Sequence, residues 1–133
     1  MFIYGKMAAD AIAVASYLAE HHDRLCGSSE ISQKRNISRA LTAKLLTRLA
    51  TAGIADGRPG PGGGYKLARS ADHISLRQIV ELFEQAGTIS ICPFGHGWCG
   101  TGEKCPLHDT LVGMVEDNRK FLESTRLSVF QPV

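Results

Sequence analysis

No run in the 133 residues approaches the ~20 consecutive apolar side chains that a membrane helix needs. The N-terminus also lacks the basic, apolar and small-residue succession of a secretory signal, so a cytoplasmic chain with no membrane partner is expected. Cysteine is sparse, at four. In a reducing compartment thiols read first as metal ligands or redox groups and only then as disulfides. There is no Cys-x-x-Cys pair and no pairing of carboxylates suited to acid-base catalysis, so an enzyme is not expected. The glycine run at residues 62–64 is not followed by the Lys-Ser or Lys-Thr pair that opens a P-loop helix, which argues against a nucleotide site.

Acidic residues are almost missing from one stretch. Residues 31–69 hold eight lysines and arginines (34, 35, 39, 44, 48, 58, 66 and 69) against Asp56 alone, a local charge of +7. The remainder carries seven bases and twelve acids, or −5. An asymmetry hidden inside a net charge of +2 points to a polyanionic partner for one part of the molecule.

Apolar periodicity supplies the elements. Residues 8–20 place Ile12, Ala15, Leu18 and Ala19 at helical spacing. Ser28 can cap a short helix that runs to about Arg35 and closes at Asn36. Ser38 can cap a third helix, on which Leu41, Leu45, Leu46, Leu49 and Ala52 share one face until Gly53. Arg39, Ala40, Ala43, Lys44 and Thr47 then fall near the opposite face, with Arg48 at its margin. Two short strands around the glycine-rich turn make a hairpin. Ser75 opens a helix over SLRQIVELFEQA that ends at Gly87, and a final helix runs from about 107 to Arg126.

Three helices and a hairpin, in that order, are the succession of a winged helix-turn-helix, in which the third helix enters the major groove of DNA. The fold expected is mainly α with a small β-hairpin wing and a long C-terminal helix. Arg35, Lys44 and Arg48 are then candidates to neutralise phosphates. Arg39, Ala40, Ala43 and Lys44 are placed to reach base edges, and Arg58 and Lys66 flank the wing turn. On the last helix Leu107, Leu111, Met114, Asn118 and Phe121 recur in steps of four and three, flanked by Val115 and Leu122. Such a stripe asks for a partner, and Leu111, Met114, Val115, Asn118, Phe121 and Leu122 are the expected dimer contacts.

Cys92, Cys99 and Cys105 crowd into a glycine-rich segment, whereas Cys26 stands apart as a buried or incidental thiol. Three thiolates suit an iron-sulfur cluster and also zinc, and disulfide formation is a third reading. The run Cys105-Pro106-Leu107-His108 offers a fourth donor: with Cys105 as cap and Pro106 as first helical residue, His108 lies on the same side of the first turn.

GPGGGYKLAR (60–69) followed by HISLRQIVELFE (73–84) resembles the hallmark of the Rrf-two family of bacterial winged-helix transcriptional regulators, and the likeness extends over nearly the whole chain. GTGEKCPLH (100–108) resembles the corresponding stretch of its iron-sulfur members. The resemblance implies a repressor that acts as a homodimer on a partly palindromic double-stranded operator. It also implies a cluster held by Cys92, Cys99, Cys105 and His108, with 2Fe-2S favoured and 4Fe-4S the alternative. Nitric-oxide-sensing members take an aspartate from the first helix of the other subunit; Asp10 lies near that position, and His108 is preferred. The organisation expected is a DNA-binding domain at 1–87, a cysteine-rich loop at 88–106, and a dimerisation helix and tail at 107–133. Iron-sulfur status, redox state or nitric oxide would be the signal, with a cluster-free regulator controlled by thiol oxidation, zinc or a partner protein as the alternative.

Overall fold

Helix α1 (Lys6–Glu20) runs through the middle of the molecule, and its composition explains why it can. Ala8, Ala11, Ala15 and Ala19 are fully buried beside Val14 and Leu18. Side chains this small let several neighbours approach one helix from different sides. Around α1 pack α2 (Ser28–Arg35), α3 (Arg39–Thr51), α4 (Leu76–Val80) and the C-terminal turn Leu127–Phe130. A computed structural model describes residues 4–84 and 106–132 of the chain.

The helix-turn-helix follows from its punctuation. Asn36 ends α2 in the left-handed region at φ 54°, which asparagine tolerates better than most side chains. Ser38 then caps α3, its Oγ accepting from the Leu41 N–H at 3.1 Å. Beneath α3, Leu45, Leu46 and Leu49 are fully buried with Ile31. The cap of α2 falls on Gly27, one residue before the expected Ser28, and α1 begins two residues ahead of the expected start.

The wing is an antiparallel pair, β1 (Ala55–Arg58) and β2 (Gly64–Leu67), registered from Ala55 opposite Leu67 to Arg58 opposite Gly64. Cys26 adds to it, exchanging backbone hydrogen bonds with Tyr65 at 2.8 Å in both directions. Gly64 makes this approach possible. Its φ is +147°, and a Cβ there would meet the Cys26 carbonyl oxygen at 2.7 Å.

Two further elements differ from the sequence reading. After Val80 the Leu82 and Phe83 amides bond back three residues, to the Ile79 and Val80 carbonyls. The helix expected to reach Gly87 therefore tightens into a turn after five residues. The last helix, α5 (His108–Ser124), is capped by Leu107 instead of Cys105, with Pro106 and Leu107 in a turn ahead of it.

Beyond α5 the chain doubles back. Thr125 accepts from the Leu76 N–H and Leu127 donates to Ile74 O, both at 2.9 Å, which sets Arg126 beside Ser75. Leu127 is fully buried, and Arg77 pairs with Glu123 from α4 to α5. No helix among the described residues is long and apolar enough to cross a membrane.

Candidate nucleic-acid interface

The outer face of α3 is a continuous exposed strip of Arg39, Ala40, Ala43, Lys44, Thr47, Arg48 and Thr51. Thr47 and Thr51 donate their hydroxyls to the Ala43 and Thr47 carbonyls, each at 2.9 Å, which uses up their only protons. The strip is therefore small and smooth apart from its cations. Arg39, Lys44 and, on β2, Lys66 have no ion-pair partner among the described residues.

Arg58 extends this surface onto the wing. Its Nε and Nη2 both lie 3.4 Å from Asp56 Oδ2, a loose contact between exposed groups. Between the wing, α3 and the start of α2 lies an open groove of about 600 Å³, lined by Ser28, Thr47, Thr51, Arg58 and Tyr65 among others.

Two of the expected phosphate ligands are otherwise engaged. Arg35 donates to Ala13 O at 2.9 Å, Ser16 Oγ at 3.1 Å and Glu20 Oε1 at 2.8 Å, and stacks over the Tyr17 ring at 5.0 Å. It is a strut from the end of α2 to α1. Arg48 donates from Nη2 to Leu82 O at 2.6 Å and lies 5.8 Å from the centre of the Phe83 ring. Sequence counted both as basic, and nothing in a charge map separates a strut from a solvated cation.

A second polar unit, missed by sequence reasoning, fixes the other end of α2. Glu30 accepts from Tyr17 Oη and from Arg24, whose Nη1 is 3.1 Å away. Hydrogen bonds from Arg24 and then from Tyr17 hold the Glu30 carboxyl down at about 2. Burial, reinforced by Glu30, raises the Tyr17 hydroxyl above its ordinary value. The helix that carries the α2–α3 turn is thus tied to α1 and the α1–α2 connection at both ends.

At the N-cap of α5 Leu107 is 47% exposed, and along the helix Val112 and Phe121 are 53% and 43% exposed. Leu111, Met114, Val115 and Asn118 are half-buried, while Leu122, also expected on the dimer seam, is buried in the chain's own core. The α5 face is therefore shared between an internal contact and an exposed one.

Cys92, Cys99 and Cys105 lie outside the described residues, as does most of the 88–106 loop. Of the expected ligands His108 is described: it is the first residue of α5 and half-buried. Asp10 is buried and paired with Lys6 at 2.6 Å. Cys26 is fully buried, and burial raises its thiol pKa, which disfavours the thiolate a metal would take.

Known proteins give this geometry a context. The regulator IscR of Cereibacter sphaeroides is 32% identical over 128 residues, covering 93% of this chain and 81% of its own. Other curated relatives are matched over 62% and 60% of their length, so the chain spans less than two thirds of them. Among solved structures, CymR, the global cysteine regulator of B. subtilis, superposes with a TM-score of 0.82 at 20% identity, covering 98% of this chain and 97% of that one. IscR of T. potens gives 0.70 at 18% identity, covering 93% and 82%. At such identities these two establish the winged-helix fold. A family model described as "Iron-dependent Transcriptional regulator" matches residues 5–131, and the chain belongs to that family, Rrf2.

Proposed function

We propose that the chain is a sequence-specific DNA-binding repressor that works as a homodimer and responds to the state of an iron-sulfur cluster. The observation that carries the DNA-binding part is the exposed strip on α3, whose Arg39 and Lys44 have no charge partner among the described residues and which continues onto the wing at Arg58. In this reading α3 lies in the major groove. Ala40 and Ala43 allow close approach and contact thymine methyls, Arg39 and Lys44 reach base edges or phosphates, and Arg58 and Lys66 meet the backbone beside the wing. Arg35 and Arg48 leave this set for internal roles.

Residues 1–87 would form the DNA-binding unit, 88–106 the sensing loop and 107–133 the dimer helix and tail. The apolar residues exposed on α5 favour a second copy of the chain as partner, which would set two recognition helices about 34 Å apart, one turn of duplex.

Cys92, Cys99 and Cys105 would hold the cluster, with His108 completing the set. The donors fit the group, since thiolates and an imidazole are what iron-sulfur centres take, and the family's description as iron-dependent agrees. When bound, the cluster supplies a redox-active, oxidant-sensitive centre. His108, as first residue of α5, would pass any change in that loop to the dimer helix.

Anaerobic purification followed by iron, sulfide and zinc counts and visible absorption tests the sensing part. Iron with acid-labile sulfide, lost in Cys92→Ser or Cys99→Ser, is expected. Zinc near one per subunit, or neither metal, would replace it with a cluster-free regulator.

A further inference from the structure

Among the exposed cations of α3, Arg48 is the one committed to a neighbouring element. Beneath α3 the contacts with the core come from Leu45, Leu46 and Leu49, and the hydrophobic effect that drives their burial is non-directional. A directional contact adds to this packing in fixing the helix about its own axis. Arg48 makes it. Its Nη2 donates to the Leu82 carbonyl at 2.6 Å and its guanidinium faces the Phe83 ring at 5.8 Å, so the side chain is held at two points on one turn. That turn follows α4, where the Leu82 and Phe83 amides bond back three residues. No other hydrogen bond joins α3 to this turn among the described residues.

We infer that Arg48 is a positioning residue that clasps the C-terminal half of α3 to the Leu82–Phe83 turn and so sets the angle at which α3 meets DNA, instead of neutralising a phosphate. The inference rests on the DNA-binding reading of α3 and adds a determinant of specificity to it. A phosphate ligand and a clasp leave different traces. Loss of a phosphate contact weakens binding to every sequence alike and lowers the salt slope by about one per site. Loss of a clasp misaligns base contacts that must all be met together, while the electrostatic attraction stays.

The test uses the full chain with two probes, a duplex that the wild-type protein selects from a randomised pool and a duplex of random sequence. Arg48→Gln and Phe83→Leu should each lower affinity for the selected duplex by about tenfold. Both should leave the random duplex within about twofold. Phe83→Leu, which keeps every charge, should leave the slope of log K against log salt unchanged, and it keeps the test decisive should Arg48→Gln fail to fold. Equal weakening on both duplexes by Arg48→Gln, with wild-type behaviour of Phe83→Leu, would overturn the clasp and restore Arg48 as a phosphate ligand. A wild-type protein that selects no sequence at all would overturn the DNA-binding reading itself, and the clasp with it.

Discussion

Glu30 shows how one carboxylate can govern acid stability. Its folded-state pKa sits at about 2 against an ordinary 4.5, because Arg24 and Tyr17 bond to the ionised form. A depressed pKa contributes stability above the unfolded value and loses it as pH falls toward the folded one. Urea midpoints should therefore decline between pH 4.5 and 2 in the wild type, and Glu30→Gln should flatten that part of the profile. An unchanged profile would show that the Arg24–Glu30–Tyr17 unit does not persist in solution.

Gly64 makes a second prediction at this scale. A Cβ would collide with the backbone of Cys26, and the left-handed φ is itself strained for other residues. Gly64→Ala should cost about 1–3 kcal/mol in chemical denaturation. The glycine run was legible in the sequence as a turn, but the reason for its last member was not, since the collision involves a residue 38 positions earlier.

Among the elements, those written in local chemistry were the ones sequence could read. Ser38, Asn36 and Gly53 bound α3 and its turn through bonds and dihedrals made within a few residues, and periodic leucines chose its buried face. Where a distant contact decided the outcome, the sequence was mute. Arg35 and Arg48 are indistinguishable from solvated bases until α1 and the α4 turn come alongside them. The same applies to α5, whose regular stripe did not reveal which members serve the chain's own core. Leu122→Ala should lower stability by about 2–5 kcal/mol as a core truncation. If α5 pairs two copies of the chain as proposed, Phe121→Asp should instead leave the fold intact and halve the mass measured by sedimentation. A monomeric wild type would remove α5 as a dimer helix.

At the scale of the molecule, charge is separated: +7 over residues 31–69 and −5 elsewhere. If Arg39, Lys44, Arg58 and Lys66 of two protomers each displace a counterion, log K should fall against log salt with a slope on the order of −7. Lys44→Ala should reduce that magnitude by about two in the dimer, measured as operator affinity from 50 to 300 mM salt by titration with salt concentrations of about this range. A slope near zero would place the interface somewhere other than the basic strip.

The return of the chain beyond α5 has a mechanical meaning. Thr125, Arg126 and Leu127 stitch the C-terminal end of α5 to residues 74–76, whereas the opposite end begins at His108, three positions after Cys105 in the sequence. Seventeen residues of helix span about 25 Å. Fixed at one end, such a rod is a lever: a tilt of about 5° sweeps its far tip by about 2 Å. Movement at His108 would thus arrive at Ser75 and Arg77 as torque with almost no travel, felt at the start of the short helix whose closing turn holds α3.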